Sequence, residues 1–253
     1  MNIFKDMIYV QKNTFKKSIL SFKRSWPIIF TAVIYMFINV LAINLINLLL
    51  RGVLSIIAGF IFAIISSSLI SNYLYLLYNA ITYNRITFQN FKDGFTQYLW
   101  KVYGIFFIAW IGSYALSILL DLTGSAGVML YSLIRLLVLV FLNPLPETIY
   151  QKYYSSVDSI KYAFDFIKEN WLNWFVPNII LFGIIYLVTG RLVEDMFTTY
   201  LVLDFRLDML GIIMFLLGQS IFSFTMIYRG HLFSLLSTST RRKRMYMNRL
   251  YED

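Results

Sequence analysis

Long stretches without a single charged residue constrain this chain more than any other feature of its sequence. Residues 26–50 and 54–77 are each uncharged, and each exceeds the roughly 20 apolar residues that an α-helix needs to cross a bilayer core. Over the whole chain, 59% of residues are hydrophobic and 14% are charged, whereas a soluble domain carries about 25% charged residues. The two runs therefore indicate transmembrane helices.

Four further apolar runs complete the prediction of an all-α, polytopic transmembrane helical bundle with about six spans. They cover residues 103–120, 128–142, 172–188 and 209–228. The fourth run is short and carries Arg135, so a re-entrant or buried segment is an alternative to a full span. We expect a single integral membrane domain over residues 1–253, with a basic tail at 241–253.

The distribution of lysine and arginine predicts the orientation of the chain. If both chain ends lie on one side, that side carries 18 basic residues and the other side 3, with Arg135 inside the membrane. Cytoplasmic loops are the ones rich in these residues. We therefore expect both termini in the cytoplasm of a bacterial cell, and the even number of spans that this requires favours a full fourth span.

The basic residues that give the chain its net charge of +9 lie beside the apolar runs. At such positions, basic side chains contact anionic lipid head groups. The expected partners are thus the lipid bilayer and anionic head groups at the cytoplasmic face. A nucleic-acid partner is not expected, because no recognition fold accompanies the charge.

A short amphipathic pattern recurs ahead of the predicted hairpins. Apolar residues start at Phe88 and at Val157 and follow the same offsets, with 69 positions between the two copies. A looser copy runs from Phe15 to Trp26. This spacing places the apolar residues on one helix face.

The bundle is therefore predicted as three units, at about 1–80, 81–150 and 151–240. Each unit is an amphipathic interfacial helix followed by a transmembrane hairpin. The alternative is that each amphipathic segment simply extends the next spanning helix.

The repeated pattern, together with the run Asn-Pro-Leu-Pro-Glu at 143–147, resembles a family of uncharacterised bacterial six-helix membrane proteins related to the membrane domain of glycerophosphodiester phosphodiesterases. The resemblance covers most of the chain and implies the six-helix fold. It carries no active-site residue to this sequence, because the phosphodiesterase chemistry of those fusions belongs to a separate soluble domain.

Arg135 defines a candidate intramembrane polar site. A charge at mid-membrane costs about 2.5–3.5 kcal/mol, so we expect Arg135 to face the bundle and to have a partner. The candidate partners are the amides of the first and sixth spans, namely Asn39, Asn44, Asn47 and Gln219. Such a site would bind an anion or line a substrate path; the alternative, which we favour, is a structural hydrogen-bonding hub.

Small residues recur every four positions in the second and third spans and let helix backbones approach closely. They are Gly59, Ala63, Ser67 and Ser71 in the second span, and Ala109, Ser113 and Ser117 in the third. We interpret them as helix-packing stripes, which is a commoner role for this pattern than lining a conduit.

No catalytic, cofactor-binding or metal-binding motif accompanies these features. The chain has no cysteine, so its single histidine, His231, lacks the thiolates of a zinc site. Glu147 is a candidate acid-base partner for His231. The acidic loop around Glu194 lacks the spacing of a calcium loop. We expect neither an enzyme nor a cofactor.

The predicted function is a non-enzymatic accessory or scaffold protein of the bacterial cell membrane, which associates with another membrane protein or with itself. The alternative is a transporter or permease subunit of an exporter whose ATPase lies on another chain. An intramembrane enzyme is least favoured, because the roles that catalysis needs are unfilled.

Overall fold

Helices dominate the part of the chain that the computed structural model describes, residues 3–50, 52, 55–123, 125–193, 195–203 and 208–239. This part contains nine α-helices, one 3₁₀ helix and no strand. The α-helices are α1 Ile3–Arg24, α2 Thr31–Leu49, α3 Ser55–Thr82, α4 Phe88–Gln97, α5 Leu99–Thr123, α6 Ser125–Phe141, α7 Leu145–Gln151, α8 Ser156–Thr189 and α9 Met209–Thr238. The 3₁₀ helix, Trp26–Phe30, joins α1 to α2. The predicted basic tail lies outside the described residues.

Six segments of the described chain are long and apolar enough to cross a membrane. They are Trp26–Leu49, Ile57–Thr82, Leu99–Ile118, Gly127–Gln151, Ser156–Thr189 and Met209–Thr238. They contain the six predicted runs or most of each, so the all-α bundle with six spans is confirmed. The chain is a multi-pass membrane protein.

The fourth segment is built from two helices, α6 and α7, because prolines interrupt it. Proline removes a backbone donor and clashes with the preceding turn, and the chain accordingly turns before Leu145. Pro146 then occupies the first turn of α7, where a missing donor costs little. All of α7 from Leu145 to Tyr150 is buried, so this short helix belongs to the core.

The core surrounds one half of α3. Residues 67–80 of α3, here called the buried half of α3, are enclosed nearly all round, whereas Ile57, Phe60 and Ile64 before them are exposed. Helices α1, α2, α4, α5, α7 and α9 all contact α3. The molecule is therefore thick at this end of the bundle and consists of sparsely packed hairpins at the other.

Helix α4 lies along the buried half of α3 and packs its apolar face there. The Ser71 hydroxyl donates to the carbonyl of Gly94 over 2.7 Å, and the Ser68 hydroxyl donates to that of Phe95 over 2.9 Å. A Cβ at Gly94 would lie 3.0 Å from the Asn72 amide nitrogen and 3.1 Å from its Cα. Glycine is thus what lets the two backbones approach.

Helix α1 packs on α9 with a face that carries small hydroxyl side chains. Thr14, Ser18 and Ser21 are buried, whereas Phe15 and Trp26 are about half exposed. Phe22 packs against the core and Phe15 lies edge-to-face on Phe224 of α9, so the apolar face of α1 is only partly exposed.

In the third unit the amphipathic segment and the fifth span form one uninterrupted helix, α8. The Ser155 hydroxyl caps it by accepting from the Asp158 amide over 3.1 Å. This unit has the extended arrangement, one of the two that the sequence allowed. The first two units have separate helices, α1 and α4, ahead of their hairpins.

Candidate functional site

Arg135 lies on the exposed surface of α6 and does not reach the predicted polar site. Its side chain makes no hydrogen bond or ion pair with any residue that the structure describes. Ten residues separate it from the first residue of α6, which corresponds to about 15 Å, or half of a bilayer core. On a span that enters the membrane at the start of α6, this cation would stand near mid-membrane depth, on the outside of the bundle.

The four predicted partners of Arg135 are occupied elsewhere or lie apart from it. The Gln219 amide exchanges two hydrogen bonds with the backbone of Leu201, at 3.2 and 2.7 Å. Asn39 donates to the Tyr200 hydroxyl over 3.2 Å. Asn44 is exposed and donates to its own helix at Val40, and Asn47 is exposed on the same helix. Gln219 and Asn39 therefore hold the loop between α8 and α9.

The two predicted packing stripes meet different surroundings. Ser67 and Ser71 are buried against other helices and Ala63 is partly buried. Gly59 is exposed, and a Cβ at that position would have no heavy atom within 4 Å. The stripe of α5, formed by Ala109, Ser113 and Ser117, is exposed along its whole length. No helix of the described chain therefore buries the α5 stripe.

Helices α5 and α6, here called the α5–α6 hairpin, form the least covered part of the bundle. Within the apolar 18-residue stretch of each of the spans Leu99–Ile118 and Gly127–Gln151, only 11% of the residues are buried, against 50% for the corresponding stretch of Ile57–Thr82. Trp110 and Tyr114 are 59% and 64% exposed. The hairpin thus presents large apolar side chains, a row of small residues and one cation to its surroundings.

The structure assembles a different polar site, which joins α7 to α9. Arg229 donates through Nε to Glu147 Oε1 over 2.7 Å and through Nη2 to Glu147 Oε2 over 3.0 Å. Both side chains are less than 5% exposed. A bidentate pair of this kind is strong and fixes geometry, and removal of either partner would leave an uncompensated buried charge.

Further contacts enclose the guanidinium group of Arg229. Its Nη2 also donates to the carbonyl oxygen of Asn143 over 2.8 Å. The rings of Trp174 and Phe182 lie 5.0 and 5.6 Å from its central carbon. Trp174 in turn donates from Nε1 to Asn143 Oδ1 over 2.8 Å. The pair therefore ties together α7, α8, α9 and the turn before α7.

The sequence interpretation misplaced Arg229 and gave Glu147 a different partner. Arg229 was counted among the basic residues beyond the sixth span, but α9 continues to Thr238 and turns Arg229 inward. The count of basic residues on that side falls to 17, so the charge asymmetry persists. The sequence signal for this pair was limited to two isolated residues of opposite charge, Glu147 and Arg229, each close to the end of an apolar run.

His231 belongs to a small set of hydrogen-bonded side chains. Its Nε2 lies 2.7 Å from the Ser21 hydroxyl, which donates to Asn84 Oδ1 over 2.6 Å. Because the Ser21 proton is engaged with Asn84, the Nε2–H of His231 donates to Ser21 instead of accepting from it. The arrangement links α1, α9 and the turn between α3 and α4.

Within the described part of the chain, no three His, Asp or Glu side chains come together in a way that could hold a metal ion. Of the acidic residues in the loop before α9, Asp195 and Asp208 are described and Glu194 and Asp204 lie outside the described residues.

No family model matches this chain, and comparison with curated proteins and with solved structures found no match.

Proposed function

We propose that this chain is a non-enzymatic accessory protein of the bacterial cell membrane, and that its α5–α6 hairpin binds a spanning helix of a different membrane protein. The observation that carries the proposal is the exposed Arg135, which has no polar partner among the described residues. Against lipid, such a charge costs about 2.5–3.5 kcal/mol. A carboxylate at the same depth on a partner helix removes that cost.

The chemistry favours a different protein over a second copy of this chain. In the described spans, Glu147 is already paired with Arg229, and Asp158, Asp165 and Glu169 lie in the first half of α8. Pairing α6 with α6 would bring two arginines together. The partner is therefore expected to carry Asp or Glu near the middle of a spanning helix.

The α5 stripe supports the same conclusion from packing. Helices associate in lipid where small residues let their backbones come close, and Ala109, Ser113 and Ser117 are exposed on the hairpin that carries Arg135. In contrast, the residues that motivated the transporter alternative lie apart and line no common path through the described bundle. Association is thus the better supported function.

Orientation is part of the proposal. With the packed end of the bundle in the cytoplasm, 17 basic residues lie on that side and 3 on the other, which satisfies the positive-inside rule.

The first prediction tests the partner directly. A photo-reactive residue in place of Met129, which is 80% exposed on α6, should cross-link in living cells to a spanning peptide that contains Asp or Glu. Arg135→Leu should reduce the yield about tenfold or more, because loss of one member of a buried charge pair costs about 2 kcal/mol or more. Yield is measured by quantitative mass spectrometry.

Asn44→Leu is the matched control, since it also replaces an exposed polar side chain in a span, and it should leave the yield unchanged. A charge exchange combines Arg135→Glu in this chain with replacement of the partner's acidic residue by Arg. This exchange should restore the cross-linking yield. A cross-link only to lipid, only to this chain, or with the same yield in Arg135→Leu would contradict the proposal.

A further inference from the structure

A polar cavity of about 530 Å³ lies where α1, α3, α7 and α9 meet. This size is within the range of small-molecule sites. Leu20 and Ile81 are its two apolar lining residues. The others carry polar groups, and they include Lys17, Tyr78, Asn84, Tyr150, Gln151 and His231. The cavity is remote in sequence from Arg135 and independent of the function proposed for the α5–α6 hairpin.

The charge of the cavity wall is positive. Lys17 lines the cavity, and no carboxylate is among its lining residues. The neighbouring carboxylate of Glu147 is neutralised by Arg229 over 2.7 Å. The wall therefore favours an anion and offers a cation no ligand of opposite charge.

A buried donor without an acceptor points in the same direction. Tyr150 is 3% exposed and lines the cavity beside Gln151, and its hydroxyl proton has no acceptor among the described residues. A Cβ at Gly230 would lie 2.5 Å from that hydroxyl, so glycine is what allows the Tyr150 side chain its position. Buried hydroxyl groups are nearly always paired, and an anion in the cavity would supply the missing acceptor.

The depth of the cavity matches that of lipid head groups. His231 follows Met209, the first residue of α9, by about 33 Å at 1.5 Å per residue. The hydrocarbon core is about 30 Å thick. With Met209 at one face of the hydrocarbon core, the cavity would lie at the opposite boundary between that core and the head groups.

We propose that this cavity binds a phosphate group, carried either by the head group of an anionic phospholipid or by a soluble phosphate ester. Lys17 provides the charge, and the Tyr150 hydroxyl provides a hydrogen bond from inside the wall. Phosphate oxygens accept both kinds of contact, and charge-assisted bonds are the stronger ones.

The test uses the full chain in detergent micelles. Native mass spectrometry measures binding of phosphatidylglycerol and of phosphatidylcholine, and calorimetry measures binding of inorganic phosphate. Lys17→Gln should weaken binding about tenfold, and Tyr150→Phe about threefold. The control is Lys16→Gln, which removes an exposed lysine that does not line the cavity and should change binding less than twofold. Circular dichroism confirms that each variant is folded.

Selective binding of phosphatidylglycerol that depends on Lys17 identifies a lipid ligand, and binding of inorganic phosphate with the same dependence identifies a soluble one. Either result supports the proposal. Equal losses in Lys16→Gln and Lys17→Gln would show a diffuse surface charge effect and overturn it. Binding unaffected by Tyr150→Phe, or the absence of binding to all three probes, would overturn it as well.

Discussion

The two arginines of the membrane-spanning region illustrate opposite solutions to one physical problem. Arg229 is buried with Glu147 at 2.7 Å and receives further contacts from Asn143 and Trp174. Arg135 is exposed on α6. A guanidinium group stays charged under all physiological conditions, so each arginine needs compensation, from within the chain for Arg229 and from outside it for Arg135.

A second prediction concerns the buried pair. Glu147→Gln should lower the free energy of unfolding by about 3–5 kcal/mol, because Arg229 then stays buried without a counter-charge. The double variant Glu147→Leu with Arg229→Leu should lose less than the sum of its single variants. Denaturant unfolding in micelles, followed by circular dichroism, measures these differences.

The exposed pair of Asp165 and Lys168 provides the control for that experiment. Their charged atoms lie 3.6 Å apart, and both side chains are more than half exposed. Asp165→Asn should change the free energy of unfolding by less than about 0.5 kcal/mol. A loss in Glu147→Gln no larger than this would show that the buried pair contributes little.

Sequence alone indicated which charges were unusual but not which of them meet. Arg135 stood out because it lies inside an apolar run, and its helical position was predictable. Which face of α6 turns outward depends on its contacts with α5 and α8, which the sequence of α6 alone does not specify. Arg229 and Glu147 are 82 residues apart, so no local signal joins them.

At the scale of helices, the close approach of α4 to α3 depends on one glycine. Gly94→Ala should lower the free energy of unfolding by about 1–3 kcal/mol, because the new methyl group would crowd the backbone of Asn72. This third prediction is checked by the same unfolding measurement in micelles.

Gly59→Ala is the matched substitution, since Gly59 is also helical and has no neighbour within 4 Å of the added atom. It should leave the free energy of unfolding unchanged or slightly increase it. Equal effects of the two substitutions would argue against a special role for the α3–α4 contact.

The helices themselves were predictable, whereas their partners were not. Apolar runs of about 15 to 25 residues predicted every span, and only the fourth of them carries a charge, Arg135. The repeated amphipathic pattern predicted helices at Phe88 and Val157, but periodicity does not tell whether the apolar face meets lipid or protein. Phe91 and Phe95 of α4 pack on the core, whereas Phe15 of α1 is half exposed. The family resemblance stays a prediction, since no family model matches.

At the scale of the whole molecule, the absence of cysteine from the sequence makes orientation directly measurable. Tyr153, between α7 and α8, is fully exposed, and Val202, between α8 and α9, is 71% exposed. As a fourth prediction, a cysteine at position 202 should react with a membrane-impermeant maleimide in intact cells. A cysteine at position 153 should react only after permeabilisation, because its loop faces the cytoplasm in the proposed orientation.

The unsubstituted protein gives the background for both labelling reactions. Efficient labelling of position 153 in intact cells, with position 202 protected, would mean that the proposed orientation is inverted. Equal labelling of both positions in intact cells would contradict a span between them.

The wide separation of Glu147 and Arg229 also bears on how the protein is made. A ribosome adds about 5–20 residues each second, so several seconds pass between synthesis of the acid and that of its base, 82 positions later. During this interval Glu147 lacks Arg229, the residue that pairs with its carboxylate in the folded protein. The pair is therefore completed only when the last helix, α9, joins helices made before it.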